Sequence, residues 1–287
     1  MRMNDANKTQ DEQAKLWNGL GGRAWVDEQE LLDRVFKPLE TLLVEAVAAD
    51  TRRQVLDVGC GTGSTTIAVA QVLKPHGQSI GIDISEPMVA AARARAEREG
   101  LAVRFICANA QEYSFAPARV DMIISRFGVM FFNDPVRAFA NLRRATTDNA
   151  QARLIAWRSP AENPFMTTAE RAAAPLLPNL PARRSDAPGQ FAFADRDRVH
   201  SILERSGWSE IDIRPVDFDC TVPEKDLVRY VTRLGPVGRV LEETDDETRA
   251  RVIDAVLPAF DPYIDAGTLR FQAACWVINA QAGPSRP

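Results

Sequence analysis

Histidine is nearly absent from this chain: His76 and His200 are the two in 287 residues. Tyrosine is almost as scarce, with three, and the four cysteines (Cys60, Cys107, Cys220, Cys275) stand far apart with no C-x-x-C pair. That spacing argues against a disulfide framework, and scattered cysteines serve as small buried hydrophobes. A reducing, cytoplasmic setting is therefore expected. No apolar run approaches the roughly 18 residues that a membrane-spanning helix needs. Met1 to Gln10 is polar and lacks the apolar stretch of a secretory leader, so none is expected. Excess charge of either sign is missing too: 35 basic against 39 acidic side chains leave a formal charge of −4. The electrostatic footprint of a nucleic-acid binder, or of a protein drawn to anionic membranes, is absent with it.

What the chain does have is a globular composition, 45% apolar and 26% charged, enough for a large core. Residues 27–49 carry leucine and valine at helical spacing, with Pro38 expected to kink one long helix. From Gln54 onward short apolar runs alternate with helical stretches. Strands are expected at 54–58, 79–83, 103–106, 120–125 and 153–157, and helices at 65–72, 87–99 and 135–145. Ser85 is placed to cap the second of these helices and Gly100 to stop it. Strand and helix in this alternation imply βαβ units and a parallel sheet covered on both faces.

After Trp157 the texture changes. Residues 159–193 hold six prolines and are expected to be a lid insertion, as is the helical, acidic stretch 223–268. Between them, 194–222 should supply a core helix and a strand, and 269–287 a last strand and a fraying tail. Residues 1–158 then form the N-terminal helices and the binding core. Loops at the carboxyl ends of parallel strands are where ligands bind, so the insertions are the expected source of substrate specificity. Covering exposed sheet edges is the alternative role for them.

The most informative segment is Val55-Leu56-Asp57-Val58-Gly59-Cys60-Gly61-Thr62-Gly63. A strand delivers the chain to three glycines, which let a ligand approach the backbone, and a helix N-terminus then aims N–H groups at it. The spacing is G-x-G-x-G, not the dinucleotide G-x-G-x-x-G. Asp57 would repel a pyrophosphate but suits a cationic amino group. Asp83, twenty residues past Gly63, ends the second strand and can accept hydrogen bonds from both ribose hydroxyls. The ligand implied has a ribose and an amino group and lacks a pyrophosphate.

That set resembles the class I S-adenosylmethionine (SAM)-dependent methyltransferases. Val55–Gly63 is similar to their first motif, Gly81-Ile82-Asp83-Ile84-Ser85 to their second, and Cys107-Ala108-Asn109-Ala110-Gln111 to their third, with Asn109 in place of the usual Asp. Ile123 to Phe132, and Trp17-Asn18-Gly19 through Trp25, resemble the UbiE-like, type-11 subgroup. The resemblance implies an α/β, Rossmann-like sheet of seven mostly parallel strands in order 3-2-1-4-5-7-6, strand 7 antiparallel, with 210–219 as strand 6 and 269–280 as strand 7. It also implies SAM as cofactor and S-adenosylhomocysteine as product. By matching position, Asp57, Gly59 and Gly61 would line the methionyl end, and Cys60, Thr62 and Gly63 would belong to the same cofactor-binding loop. Asp83 would hold the ribose, Ile84 and Met88 would sandwich the adenine, and Asn109, Ala110 and Gln111 would meet its edge. Ser125 and Arg126 would face the transferred methyl, and Trp17 and Trp25 would close over the cofactor. Each has a structural alternative: turn glycines, a helix cap at Asp83, core filling by Met88, an ion pair at Arg126, a helix staple for the tryptophans.

Methyl transfer from a sulfonium is an in-line displacement that needs alignment and exclusion of water, and a base only if the nucleophile arrives protonated. His76 lies in a turn and His200 on a solvated helix face, so no His base is expected; Tyr113, Tyr230, Tyr263 and lid carboxylates leave the base open. No spaced ligand set argues for a metal. The adenine-N6 and glutamine methylation motif N/D-P-P-Y/F is absent. Phe165, Met166, Leu176, Leu177, Phe191 and Phe193 make the insertions apolar and aromatic, as core or as pocket. If they face the site, the partner is a small hydrophobic or aromatic acceptor methylated on oxygen or carbon. A non-catalytic SAM-binding protein is the alternative, and a nicotinamide oxidoreductase a more distant one. The oligomeric state stays open, a homodimer among the options. Gly189, Gly235 and Gly238 are candidate lid hinges.

Overall fold

A computed structural model describes residues 12–50, 53–183 and 187–283. Residues 284–287 of the expected fraying tail lie outside the described residues. The described residues open with four helices, α1 (12–18), α2 (Leu20–Asp27), α3 (Gln29–Val35) and α4 (Lys37–Ala48). The single kinked helix expected over 27–49 is a break at Phe36 instead, which leaves helical geometry at φ −100° and ψ 15°. Pro38 then falls in the first turn of α4, where its missing N–H costs nothing. The break turns Phe36 inward against Phe127 and Trp157.

The alternating region follows the apolar runs closely. It comprises β1 (Gln54–Val58), α5 (Ser64–Leu73), β2 (Gln78–Asp83), α6 (Glu86–Arg98), β3 (Arg104–Cys107), β4 (Val120–Arg126), α7 (Pro135–Ala145) and β5 (Thr146–Trp157). Ser85 caps α6, its hydroxyl accepting from the Met88 N–H at 3.4 Å. Gly100 ends that helix at φ 65°. β5 begins seven residues before the expected Arg153, because the polar segment 146–152 continues beside β4 past a register shift between Val120 and Met122.

The second half holds α8 (Pro164–Ala173), α9 (Arg196–Arg205), β6 (Trp208–Pro223), α10 (Leu227–Arg233), α11 (Gly235–Glu242), α12 (Asp246–Val256), β7 (Ile264–Asp265) and β8 (Thr268–Ala282). The sheet order is β3-β2-β1-β4-β5-β8-β6. β1 to β5 pair in parallel, while β8 runs antiparallel to both β5 and β6. β8 is thus the expected antiparallel strand. One detail differs: the two-residue β7, which pairs with the start of β8, makes the sheet eight-stranded. It arises from the tight turn Ala266-Gly267, both at positive φ, a hairpin turn whose twist matches the flanking strands. β6 outruns the expected 210–219 because its alternation of buried and exposed residues continues through Cys220 and Val222 along β8.

The core fills both faces of the sheet, with Met122, Ile123 and Ile124 of the central β4 all fully buried, as a strand covered on two sides requires. α8 is anchored to the sheet by Phe165, whose ring stacks on Phe271 of β8 at 3.8 Å and 3°. Burial of such a side chain is worth about 1.5–3 kcal/mol. Among the described residues no helix is long and apolar enough to cross a membrane.

Candidate functional site

The parallel strands end in a cavity of about 1720 Å³. Small-molecule pockets occupy about 300–1,000 Å³, so this volume has room for two ligands side by side. One half is walled by the loops after β1, β2 and β4, the other by the segments around α8, α10 and α11.

In the first half, β1 carries Asp57 to the wall, 1% exposed. Its Oδ2 accepts from the Thr66 hydroxyl at 2.7 Å. Burial pushes its carboxyl up to about 6, against the opposing pull of that hydrogen bond and of the Arg126 guanidinium. Arg126, at the end of β4, donates from Nη2 to Ser64 Oγ at 2.9 Å, while its Nη1 is buried without a partner. A buried, unpaired guanidinium nitrogen is costly, and so marks a place where an anion belongs.

The β2 end is built as tightly. Asp83 Oδ2 accepts from the Gly61 N–H at 2.8 Å and Oδ1 from the Ser85 N–H at 2.9 Å. Burial raises its carboxyl, and these N–H donors oppose that rise. Cys60, Gly61, Thr62, Ile84 and Met88 share this wall, as do Asn109, Ala110 and Gln111 from the loop after β3. Asn109 Oδ1 already accepts from the Gln111 N–H at 2.9 Å, which turns its amide nitrogen, a donor, outward. Gln111 Oε1 accepts from the Asp134 N–H at 2.9 Å and so ties the β3 loop to the start of α7.

Two residues of the expected site do not reach the cavity wall. Gly63 instead starts α5 at φ 85°, and a Cβ there would sit 2.9 Å from Ala92 Cβ and 3.0 Å from Phe105. Ser125 is fully buried. It donates to the Val58 carbonyl at 2.7 Å and accepts from the Gly128 N–H at 3.2 Å, so it ties β4 to β1. Gly59 does reach the wall, and it touches Gly128 so closely that neither tolerates a Cβ.

Trp17 and Trp25 also line the cavity, edge to face at 6.2 Å, and Trp17 packs on Phe131 at 5.0 Å. What holds them there is Asn18, a residue to which sequence reasoning gave no role. Its Nδ2 donates to the Ile84 carbonyl at 3.1 Å and its Oδ1 accepts from the Glu86 N–H at 2.8 Å, so α1 is bonded to the loop that carries Asp83. A second group missed in sequence is the aromatic cluster of Phe36, Phe127 and Trp157, all on the wall. Phe127 and Trp157 stack at 4.5 Å and 6°, and Phe127 is held at φ 67°, an unusual strain for an aromatic residue. Nothing short of the fold joins residues so far apart in the chain.

In the second half, Phe165, Met166 and Phe191 line the cavity, whereas Leu176, Leu177 and Phe193 do not. Tyr230 is on the wall, but burial raises its hydroxyl far above the usual range and its OH meets Met166 Sδ at 3.6 Å, so it is a poor base. Tyr113, Tyr263, His76 and His200 are not on the wall, and both histidines are exposed. Among the described residues no group of three or more His, Cys, Asp or Glu could hold a metal ion. Of the candidate hinges, Gly189 has open space around it and so does Gly235, which sits at φ 71°, but Gly238 is buried and a Cβ there would meet the Arg233 backbone at 2.6 Å. Gly238 is therefore a packing position.

Residues 55–149, the segment that carries every loop of the first half, match the methyltransferase domain family. A demethylmenaquinone methyltransferase of Bacteroides fragilis is 27% identical over 181 residues, 59% of this chain and 74% of that one. Another, of Renibacterium salmoninarum, is 24% identical over 72% of this chain and 88% of its own length. Together these likenesses support a class I SAM-dependent methyltransferase. SAM is the cofactor that comes with that family. An uncharacterized protein of Mycobacterium tuberculosis is 30% identical over 60% of each chain. Among solved structures, the YcgJ protein of Bacillus subtilis shares the fold at a TM-score of 0.56 and 15% identity, over 86% of this chain and 98% of that one. The [4+2]-cyclase SpnF shares it at 0.52 and 17%, over 85% and 80%.

Proposed function

We propose that this methyltransferase moves a methyl group from SAM to an oxygen or carbon of a small hydrophobic or aromatic acceptor. The observation that carries the reading is the pairing of opposite charges in the first half of the cavity. The buried carboxylate of Asp57 and the unpartnered Nη1 of Arg126 suit the ammonium and the carboxylate of a methionyl group. In this reading Asp83 takes the ribose hydroxyls, its carboxylate held in place by two backbone N–H groups. Ile84 and Met88 flank the adenine, and the loop of Asn109, Ala110 and Gln111 meets its edge. With its oxygen engaged, Asn109 presents a donor to a ring nitrogen where the family's Asp would accept.

When bound, the cofactor supplies a methyl carried on a positively charged sulfur. The chain's own task is then to exclude water and align the acceptor. α1 and α2 close one side through Trp17, Trp25 and Asn18, and the segments 159–193 and 223–268 act as lids on the other. Phe36, Phe127 and Trp157 give the acceptor an apolar, aromatic face. With Tyr230 holding its proton, proximity and desolvation carry the rate and the acceptor arrives ready to react. The two demethylmenaquinone methyltransferase relatives, named for a quinone substrate, support an aromatic or quinone-like acceptor.

A second reading has support in the shared fold of a [4+2]-cyclase, since fold does not fix reaction. One experiment separates the two: incubation with methyl-labelled SAM and a panel of phenols, hydroquinones and activated methylenes. Label in any acceptor supports transfer. Tight SAM binding with no labelled product across the panel favours a use of the cofactor other than methyl transfer.

A further inference from the structure

The acceptor half of the cavity has a positive charge with no counterpart among the described residues. Three arginines of this half are informative. Arg183 makes a two-point pair with Glu170 and lays its guanidinium over the Phe191 ring at 4.7 Å. Arg233 pairs with Asp27 at 3.5 Å and with Glu242 at 3.6 Å. Arg239, on α11, lines the cavity half-buried and makes neither a hydrogen bond nor an ion pair with another described residue. Glu170 attracts it at longer range, but that carboxylate is already taken by Arg183, whose own charge repels Arg239. Burial lowers the Arg239 guanidinium below its usual range, and the Glu170 attraction does not make up for it. Guanidinium stays protonated regardless, so an anion entering this half of the cavity finds a charge that no described residue has taken.

The surroundings say what kind of anion. Phe165, Phe191, Tyr230 and Phe260 stand on the same wall and call for a flat apolar body. An arginine fork matches a planar carboxylate in two-point fashion.

Resting on the reading that this half of the cavity takes the acceptor, we propose that Arg239 selects acceptors that carry a carboxylate on an aromatic or similarly planar skeleton. Arg183 and Glu170 form its fixed neighbour pair, holding Arg239 off the carboxylate it would otherwise capture. Arg239 is thus a specificity residue and not part of the cofactor site.

The test is calorimetric titration of the protein saturated with S-adenosylhomocysteine, using 1-hydroxy-2-naphthoate and its neutral amide as probes. Wild type, Arg239→Gln and Arg239→Lys are compared. The naphthoate should bind wild type about tenfold or more tighter than the amide, as a charge-assisted pair does. Arg239→Gln should erase the preference, Arg239→Lys should keep part of it, and affinity for S-adenosylhomocysteine should be unchanged in all three. Equal binding of acid and amide to wild type, no binding of the acid, or an acid preference that survives Arg239→Gln would overturn the proposal. Loss of S-adenosylhomocysteine binding by wild type would instead overturn the reading of the first half of the cavity, a distinct failure.

Discussion

Gly59 and Gly128 meet backbone to backbone: a Cβ on Gly59 would lie 2.4 Å from Gly128 Cα, and one on Gly128 2.6 Å from Gly59 Cα. This contact joins the loop after β1 to the loop after β4 and sets the floor of the cavity between them. Gly128→Ala should therefore push the two loops apart. Denaturant unfolding should record a loss of about 1–3 kcal/mol, the usual cost of overpacking, and S-adenosylhomocysteine affinity should fall with it.

Asp57 gives a pH-dependent prediction with opposite signs for binding and stability. Its carboxyl is pushed from 3.8 up to about 6, so between those values the folded protein holds a proton that the unfolded chain has released. Stability contributed by that proton is present below about pH 4 and is lost as pH rises through 6. Asp57→Asn should thus stabilise the ligand-free protein at pH 7.5 by about 1–3 kcal/mol. Cofactor binding should run the other way, weakening as pH falls through 6 because the ammonium needs the ionised carboxylate. Thermal denaturation and titrations between pH 5 and 8, on wild type and variant, check both signs.

Arg126 should discriminate between ligands with and without a methionyl carboxylate. Arg126→Gln is expected to weaken S-adenosylhomocysteine by about tenfold or more, as loss of a charge-assisted bond does, yet leave 5′-methylthioadenosine unaffected. Equal losses for the two ligands would assign Arg126 to the scaffold.

Asn18 should govern closure of the N-terminal helices. Asn18→Ala removes both of its bonds to the β2 loop, each worth about 1 kcal/mol. Hydrogen exchange over residues 12–27 should speed up, and S-adenosylhomocysteine affinity should drop by about tenfold.

Much of this was legible in the chain because local patterns carried it. The run Val55 to Gly63 states a strand, a glycine turn and a helix start within nine residues, and Asp83 closes a second strand at the expected offset. The sheet order and the antiparallel β8 came with the family that those motifs indicate. What stayed hidden depends on contacts between distant residues. Ser125 reads as a site residue until its hydroxyl is seen bonded to Val58, and Gly238 reads as a hinge until Arg233 is found against it. The cluster of Phe36, Phe127 and Trp157 spans more than a hundred residues and exists only because α3 breaks at Phe36. Arg239 looks like an ordinary helix-surface residue in a sequence rich in arginine, and only its partial burial on the cavity wall, without a partner among the described residues, distinguishes it.

The most direct test is calorimetric titration with S-adenosylhomocysteine of wild type and Asp83→Ala, with NAD as a control. Micromolar binding to wild type, abolished by Asp83→Ala, with no response to NAD, is the expected result. No binding to wild type, or equal binding to the variant, would contradict the assignment of this half of the cavity to the cofactor.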